Sequence, residues 1–296
     1  MIPIRYVEPV FRPPSEAESL ILPVTDGCSW NECTFCEMYT APQKRFRARD
    51  EAEVLESIRL TGERFGDQVR RVFLADGDAT VLPTRRLLTI LAAIRTHLPA
   101  VRRISSYCLP RNLRKKSQTE VDELAAAGLS LVYVGAESGD DQVLAAVHKG
   151  ETFETTREAL DKLGAAGITR SVMILNGLGG KVHSRQHAAN SALLANATQP
   201  EYLATLVVSF PLGEQRFRAG FPEWEPLTQH ELFVETEQFL SALELKRTVF
   251  RSDHASNWLV LKGTLGADKE RLLAQVRQAI ASPEKAHLRP AWARGL

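Results

Sequence analysis

The sequence has few cysteines, no long apolar stretch and almost no net charge. Only four of the 296 residues are cysteines, and the formal net charge at pH 7 is +1. No apolar run approaches the roughly 20 residues that a membrane-spanning helix needs, so no membrane association is expected. The basic residues are scattered and form no single field, so a nucleic-acid partner is not expected either. What is present, 44% hydrophobic and 25% charged residues, is typical of a globular chain.

The start of the chain lacks the features of a targeting segment. Residues 1–18 are predicted to form an extended, proline-containing lead-in, with neither an apolar signal core nor a small-residue cleavage site. We therefore expect a cytoplasmic protein, in which thiols stay reduced. In that compartment, clustered cysteines indicate a metal or redox site rather than disulfides.

Three of the four cysteines lie within nine consecutive positions. Cys28, Cys33 and Cys36 are separated by four and then by two residues, in the segment TDGCSWNECTFCEMY. Soft thiolates select zinc, copper(I) or iron–sulfur clusters. A zinc site would need a remote fourth ligand, because the nearby Asp26 and Glu37 are poor partners for a thiolate site. Three thiolates on a [4Fe–4S] cluster would leave one iron open to bind and activate a ligand.

Short apolar runs alternate with helical patterns about six times along the chain. The alternation predicts an α/β fold with a parallel sheet and crossover helices, and six units favour a partial (β/α)6-type TIM-like barrel. In such folds the chemistry lies at the carboxyl ends of the strands. The predicted strands are residues 19–24, 69–76, 102–107, 129–137, 168–175 and 201–210.

The pattern becomes less regular after residue 210. We expect residues 19–210 to form the barrel core and residues 211–296 to form a C-terminal α/β extension packed on it. The extension begins with the loop-like segment RFRAGFPEWEP. A helix at 228–243, a strand at 246–253 and a last helix starting from Asp268 follow.

The cysteine loop, placed just after the first predicted strand, resembles that of the radical S-adenosylmethionine (SAM) superfamily. The commonest spacing in that family is three and then two residues, and some of its subgroups have the four and two found here. The resemblance implies a [4Fe–4S] cluster on the three cysteines, with SAM as the second cofactor. In the same loop, Phe35, Met38 and Tyr39 are the expected cofactor neighbours, with Phe35 shielding the cluster from water.

The segment FLADGDAT, at the end of the second predicted strand, is similar to the Gly-Gly-Glu turn of that family. Asp76 and Gly77 stand at the positions of the glycines. Asp78 stands at the position of the glutamate, and the resemblance implies that this turn holds the amino group of SAM. Without that context, Asp-Gly-Asp would be an ordinary turn.

Later strand ends carry further matches, which extend the resemblance over residues 19–210. YVGAESGDDQVL resembles a fourth-strand segment in which a polar residue, here Glu137 beside Ser138, contacts SAM. The alternative for Glu137 is an N-cap role for the next helix. ILNGLGG, with Asn176 and Gly177, resembles a fifth-strand motif whose backbone flanks the adenine, although it could also be a flexible loop. Ser105, on the third strand, is the remaining expected cofactor-binding residue.

The resemblance also implies a reaction. A reduced cluster passes one electron to the sulfonium of SAM, which gives methionine and a 5′-deoxyadenosyl radical that abstracts hydrogen from a substrate. Such an enzyme needs an electron donor such as a flavodoxin or a ferredoxin. The methylthiolation of tRNA is disfavoured, because it uses a second cysteine-ligated cluster. The alternatives are a non-catalytic iron–sulfur or zinc-binding barrel protein, and a radical SAM enzyme that modifies a macromolecule.

Two features remain outside these matches. Cys108 is expected to be a small buried residue, with a ligand or catalytic role as the alternative. The polar segment RSDHASNW contains Arg251 and His254, which we predict to be the catalytic, substrate-facing residues for an anionic small molecule. The alternative is a turn that closes a strand.

Overall fold

The computed structural model describes residues 3–295, and within them the chain forms ten strands. In chain order they are β1 (Leu20–Pro23), β2 (Thr25–Asp26), β3 (Arg47–Ala48), β4 (Arg71–Ala75), β5 (Arg103–Tyr107), β6 (Leu129–Glu137), β7 (Thr169–Asn176), β8 (Tyr202–Val207), β9 (Val249–Ser252) and β10 (Leu261–Thr264). The six strands predicted for the barrel core are therefore confirmed as β1, β4, β5, β6, β7 and β8, and the strand predicted at 246–253 as β9.

Helices separate most of these strands. The α-helices of the described residues are α1 (Glu51–Phe65), α2 (Thr84–His97), α3 (Arg111–Arg114), α4 (Gln118–Ala127), α5 (Asp141–Ala146), α6 (Phe153–Ala165), α7 (Gly180–Thr198), α8 (Gln215–Gly220), α9 (Gln229–Ala242) and α10 (Lys269–Ala281). Short 3-10 helices occur at Pro14–Glu16, Pro42–Lys44, Ala79–Val81, Pro283–Lys285 and Ala291–Ala293. Within residues 3–295, no helix is both long enough and apolar enough to cross a membrane.

The strands form an eight-stranded sheet in the order β1-β4-β5-β6-β7-β8-β9-β10. The pairs β1–β4, β4–β5, β5–β6, β7–β8 and β8–β9 are parallel, and β9–β10 is antiparallel. The short strands β2 and β3 form a separate antiparallel pair. This mostly parallel sheet with intervening helices confirms the predicted α/β class.

Several helices begin or end at residues that favour helix ends. Ser117 and Thr228 each form a complete capping box with the glutamate three residues later, at the starts of α4 and α9. Asp50 caps α1 by accepting a hydrogen bond from the backbone of Glu53. Gly128 adopts φ +115° just after α4, the left-handed conformation that a helix C-cap favours and that glycine adopts most readily.

The chain divides into two compact units. The first contains Met1–Asn31, Met38–Val134 and Asp161–Arg170, and the second contains Glu32–Glu37, Gly135–Leu160 and Ser171–Leu296. The sequence predicts different boundaries, after residues 18 and 210, and that division stays a prediction. The parallel pairing of β8 with β9 joins strands on the two sides of residue 210.

In the first unit, the lead-in packs on the sheet. Tyr6 and Val10 contact a buried cluster of Ile21, Phe73 and Ala75, to which Tyr107 and Tyr133 also contribute. The fully buried carboxylate of Glu16 accepts hydrogen bonds from the Tyr133 hydroxyl at 2.6 Å and from the Arg103 guanidinium at 2.9 Å. The lead-in is therefore an integral part of this unit's core.

In the second unit, two elements were not predicted. Residues 215–220 form α8 within the segment expected to be a loop, because Phe217 and the following Phe221 pack with Trp224 in an aromatic core cluster. Residues 261–264 form β10, which lies antiparallel to β9 at the edge of the sheet. A strand of four residues with a lysine and a glycine has no apolar run to signal it.

Candidate active site

All four cysteines are thiols rather than disulfides. Cys33 and Cys108 are buried, whereas Cys28 and Cys36 are partly exposed. The burial of Cys108 agrees with the role expected for it, a small core residue. The cysteine loop runs from the first unit, which contains Cys28, into the second, which contains Cys33 and Cys36.

In the first unit, Asp78 holds the start of the cysteine loop. Its fully buried carboxylate accepts hydrogen bonds from the backbone N–H of Ser29 at 3.0 Å and from the Ser29 hydroxyl. Asn112 donates a third hydrogen bond, at 3.4 Å, and is itself held by Thr80 at 2.9 Å. Burial raises the pKa of Asp78 to about 6, against the opposing effect of these hydrogen bonds. Both carboxylate oxygens are therefore engaged within the protein.

Gly77 lies against Cys28. Its N–H donates a hydrogen bond to the carbonyl of Gly27 at 3.0 Å. A Cβ on Gly77 would lie 2.6 Å from that carbonyl oxygen and 2.9 Å from both Cα and Cβ of Cys28. Only glycine fits at this position without displacing the cysteine loop.

Asp76 has a different environment from that of Asp78. Its Oδ2 accepts hydrogen bonds from the Lys44 ammonium at 2.5 Å and from the Gly27 N–H at 3.2 Å. Its Oδ1 is buried and has no hydrogen-bond partner in the structure. Burial raises the pKa of Asp76 above its ordinary value, although Lys44 acts in the opposite direction. The unpartnered oxygen is the atom of this turn that is available to a ligand donor.

The other predicted residues of the first unit are Met38, Tyr39 and Ser105. Tyr39 is buried, packs edge-on against Phe11 and lies 6.0 Å from the Lys44 ammonium, whereas Met38 is partly exposed. Ser105 is fully buried, and its hydroxyl donates a long hydrogen bond of 3.5 Å to the carbonyl of Val72 on β4. The roles expected for these three residues stay predictions.

In the second unit, the remaining part of the cysteine loop is anchored at several points. The N–H of Thr34 donates to the carbonyl of Val147 at 3.0 Å, and the guanidinium of Arg216 donates to the carbonyl of Cys36 at 2.6 Å. Phe35 packs against the aromatic core cluster, and the Lys149 ammonium lies 5.8 Å from the centre of its ring. These contacts give Phe35 a fixed position beside the cysteines.

Glu137 ends β6 in a left-handed conformation, with φ +65°. Its Oε1 accepts a hydrogen bond from Lys149 at 3.1 Å, and both side chains are buried. Its Oε2 is buried and has no hydrogen-bond partner in the structure. The N-cap of α5 is Asp140, whose side chain accepts a hydrogen bond from the N–H of Val143. The N-cap alternative for Glu137 is therefore wrong.

Ser138, which follows Glu137, is engaged within the protein. Its fully buried hydroxyl lies 2.8 Å from Nδ1 of His187 and accepts a hydrogen bond from the N–H of Asp140 at 2.9 Å. In the structure, Ser138 shapes the turn between β6 and α5. The cofactor contact predicted for it remains untested.

The ILNGLGG segment forms the turn between β7 and α7. The N–H of Gly177 donates to Glu235 on α9 at 2.6 Å, and its carbonyl accepts from the Trp224 indole at 3.2 Å. The amide of Asn176 donates to the Thr236 hydroxyl at 3.3 Å. The turn is therefore held by side chains of α9 and by Trp224, and the SAM contacts expected of Asn176 and Gly177 stay predictions.

Arg251 projects from the less buried face of the sheet. The strand register places Met173, Ala204, Arg251 and Lys262 in one row across β7, β8, β9 and β10. The neighbouring row on the opposite face contains Val172, Leu203 and Phe250, all fully or almost fully buried. Arg251 itself is exposed.

His254 follows β9 and is half-buried. Its Nδ1 lies 2.9 Å from the Ser256 hydroxyl, and Arg289 donates to its carbonyl. Burial, assisted by the charge of Arg289, lowers the pKa of His254, so its imidazole is neutral near pH 7. The amide of Asn257, three residues after His254, donates to the carbonyl of Thr205 at 2.8 Å. The segment therefore closes the strand as a turn, and the catalytic roles of Arg251 and His254 stay predictions.

Four residues that hold this site were not found from the sequence. They are Lys44, Asn112, Lys149 and Glu235. Each lies 12 to 58 positions from the residue that it contacts. No local pattern marks them, and a buried lysine or glutamate is recognisable only when its partner is known.

Residues 3–295 contain no group of three or more His, Cys, Asp or Glu side chains that could hold a metal ion. A [4Fe–4S] cluster makes a different demand on its ligands, because each thiolate binds its own iron.

Comparisons with known proteins agree with this picture. A family model described as the radical SAM superfamily matches residues 22–192. Among solved structures, the radical SAM methyltransferase TsrM from Kitasatospora setae, with cobalamin and a [4Fe-4S] cluster bound, has 20% identity and a TM-score of 0.52; the match covers 63% of this chain and 36% of that one. Coproporphyrinogen III oxidase (HemN) from Escherichia coli has 16% identity and a TM-score of 0.56, over 75% of this chain and 52% of that one.

Methylornithine synthase (PylB) has 13% identity and a TM-score of 0.55, over 92% of this chain and 74% of that one. At these identities the likeness concerns the fold, and it confirms the predicted partial TIM-like barrel. The chain spans only about a third to a half of the length of TsrM and HemN. No curated protein matches the chain.

Proposed function

The chain belongs to the radical SAM superfamily, and from that premise we propose that it cleaves SAM reductively at a [4Fe–4S] cluster held by Cys28, Cys33 and Cys36. Enzymes of this superfamily cleave SAM at an iron–sulfur cluster. The observation that carries the proposal is the family match over residues 22–192, which contains all three cysteines of the loop. Three thiolate ligands suit a cluster whose fourth iron binds a ligand.

The chain's own residues fit SAM as well as the cluster. Asp76 Oδ1 and Glu137 Oε2 are buried acceptors without partners, a costly state that a donor group relieves. SAM carries such donors in its ammonium group and its ribose hydroxyls. We assign Asp76 and Glu137 to these donors, and Asp78 to the support of the cysteine loop, since its oxygens are already engaged.

Held by Cys28, Cys33 and Cys36, the cluster would pass on the one electron that splits SAM into methionine and a 5′-deoxyadenosyl radical able to take a hydrogen atom from the substrate. The protein's task is then to position the reactants and exclude water. Phe35, which directly precedes Cys36, is assigned to exclude water there, and Lys44 and Lys149 pair with Asp76 and Glu137.

For the substrate, we propose a small anionic molecule. Arg251 and Lys262 are paired across β9 and β10 on the less buried face of the sheet, next to the partly exposed Met173 and Ala204. A guanidinium binds carboxylate or phosphate in a fixed geometry. The neutral His254 follows on the same segment and can accept a proton. The one-electron donor would be a flavodoxin or a ferredoxin.

The test is product formation by the anaerobically reconstituted protein. With SAM and dithionite, the protein should form 5′-deoxyadenosine and methionine, and omission of either reagent should abolish both products. A protein that holds iron and sulfide but leaves SAM intact would be the non-catalytic alternative. Stoichiometric zinc without sulfide in protein purified anaerobically would reject the cluster itself.

A further inference from the structure

We infer that Glu235 on α9 is a positioning residue for SAM, because it fixes the turn between β7 and α7, whose backbone is expected from the superfamily resemblance to flank the adenine. This inference rests on the proposed function and assigns a role to a helix that lies outside the residues matched by the family model, 22–192. Glu235 acts through the turn and does not itself touch the ligand.

The carboxylate of Glu235 makes two short contacts with the turn and the helix that follows it. Its Oε1 accepts the N–H of Gly177 at 2.6 Å, and its Oε2 accepts the hydroxyl of Ser184 at 2.6 Å. The side chain is 1% exposed. The two hydrogen bonds share one carboxylate, so together they fix Gly177 to Ser184 on α7.

The same helix holds the residue before Gly177. The hydroxyl of Thr236 accepts a hydrogen bond from the Asn176 amide at 3.3 Å. From the other side, the indole of Trp224 donates to the carbonyl of Gly177 at 3.2 Å. Both backbone groups of Gly177 are thus used within the protein, so this turn would offer a ligand its surface rather than its hydrogen bonds.

The turn needs such support because its backbone conformation is unusual. Gly177 and Gly180 have φ +80° and φ +56°. Glycine reaches these angles without strain, but it also has many other conformations available. Glu235 and Thr236 select one of these conformations. A turn that is already fixed binds the adenine ring with a smaller loss of conformational entropy than a mobile turn would.

The test compares Glu235→Ala, Glu235→Gln and a control on the same helix. Glutamine keeps an acceptor for the Gly177 N–H, whereas alanine removes it. The control is Glu237→Ala. The wild-type carboxylate of Glu237, two residues after Glu235, pairs with Arg277 at 2.9 Å, away from the turn. Two quantities are measured on the cluster-loaded protein: the dissociation constants of SAM and of methionine, which lacks the adenosyl group. Amide hydrogen exchange of residues 174–180 is measured without ligand.

Glu235→Ala should weaken SAM binding about tenfold, leave methionine binding unchanged, and speed amide exchange in residues 174–180. Glu235→Gln and Glu237→Ala should stay close to the wild type in all three measurements. Equal losses for SAM and methionine would indicate a general structural defect and overturn the inference, as would unchanged SAM binding in Glu235→Ala.

A second variant covers the case in which Glu235→Ala does not fold. Thr236→Val keeps the side-chain volume but removes the acceptor of the Asn176 amide, and it should show the same selective loss of SAM affinity to a smaller extent. An unchanged SAM affinity in Thr236→Val would then reject the inference. If the wild-type protein binds no SAM, it is the proposed function that fails.

Discussion

Asp78 and Ser29 form a two-point contact: the carboxylate accepts both the backbone N–H of Ser29, at 3.0 Å, and its hydroxyl. Ser29 directly follows Cys28, and Asp78 lies just beyond the end of β4. The contact therefore joins the start of the cysteine loop to the neighbouring strand end. It also places an ionisable group with a raised pKa beside the loop that is proposed to hold the cluster.

This contact predicts a pH dependence of stability. Folding raises the pKa of Asp78 from 3.8 to about 6, so the folded chain binds this proton more tightly than the unfolded chain does. The stabilisation from that proton is complete below about pH 4 and is lost as the pH rises through 6, a loss of up to about 3 kcal/mol. The variant Asp78→Asn has no carboxyl group at this position, so its stability lacks this pH dependence. In urea unfolding of the cluster-free protein, the stability of the wild type relative to Asp78→Asn should fall between pH 4.5 and 7.5. Parallel pH curves for the two proteins would contradict the prediction.

Gly77→Ala should damage the cysteine loop. The added Cβ would meet the Gly27 carbonyl oxygen at 2.6 Å and the backbone of Cys28 at 2.9 Å, and neither group can move independently of the loop. We expect a loss of about 1–3 kcal/mol in the free energy of unfolding and a reduced iron content after reconstitution. Gly295→Ala, where nothing lies within 4 Å, is the control. Full iron content in Gly77→Ala would show that the loop tolerates the displacement.

The iron content should depend on three cysteines and not on the fourth. Protein purified anaerobically should be brown and contain about four irons per chain. Alanine at position 28, 33 or 36 should abolish the cluster. Cys108→Ala should retain it, because Cys108 is 1% exposed at the end of β5 and is assigned to the core. Loss of iron in the last variant would make Cys108 a ligand.

Glu137→Ala should weaken SAM binding and leave the absorption spectrum of the cluster unchanged. The buried, unpartnered Oε2 is the atom assigned to a SAM donor, and one hydrogen bond to a charged group corresponds to about a tenfold change in affinity or more. Isothermal titration under anaerobic conditions measures the effect. The exposed Glu158→Ala is the control, and equal SAM affinities in the two variants would remove Glu137 from the site.

The double variant Arg251→Ala, His254→Ala should separate substrate turnover from SAM chemistry. If Arg251 binds the anionic group, the variant keeps its cluster, its SAM affinity and its slow uncoupled formation of 5′-deoxyadenosine. In the wild type, metabolites that bind an anion-exchange column should speed the formation of 5′-deoxyadenosine. In the double variant these metabolites should have no such effect. Arg247→Ala, an exposed arginine just before β9, should behave as the wild type. Normal stimulation in the double variant would assign the segment to a structural turn.

The sequence predicted the parts of the fold whose signal is local. Leu20–Pro23 and Leu129–Glu137 are buried strands, and a buried parallel strand is a short apolar run with turn residues after it. The capping boxes at Ser117 and Thr228 are equally local, because both partners lie within four residues. The sequence did not predict α8 or β10, whose formation depends on Phe217 burial and on pairing with β9.

In the candidate site, too, local features could be predicted from the sequence and long-range contacts could not. The cysteine spacing is local, so the loop was identified from it, and Glu137 was identified from the segment YVGAESGDDQVL around it. Which oxygen is available, however, depends on partners distant in sequence. Lys44 engages Asp76 over 32 positions, and Asn112 engages Asp78 over 34. Only these contacts distinguish Asp76, with an unpartnered Oδ1, from Asp78, whose oxygens are engaged.

The packing of the lead-in determines when the first unit can fold during synthesis. Glu16 is synthesised before its partners Arg103 and Tyr133, which follow 87 and 117 residues later. Lys162, which donates to the carbonyls of Leu113 and Lys116, appears later still. Tyr6 and Val10 therefore stay without their full set of packing partners until Tyr133 has been synthesised. A nascent chain that stalls before residue 133 would expose these apolar groups, and chaperones that recognise such segments would bind it there.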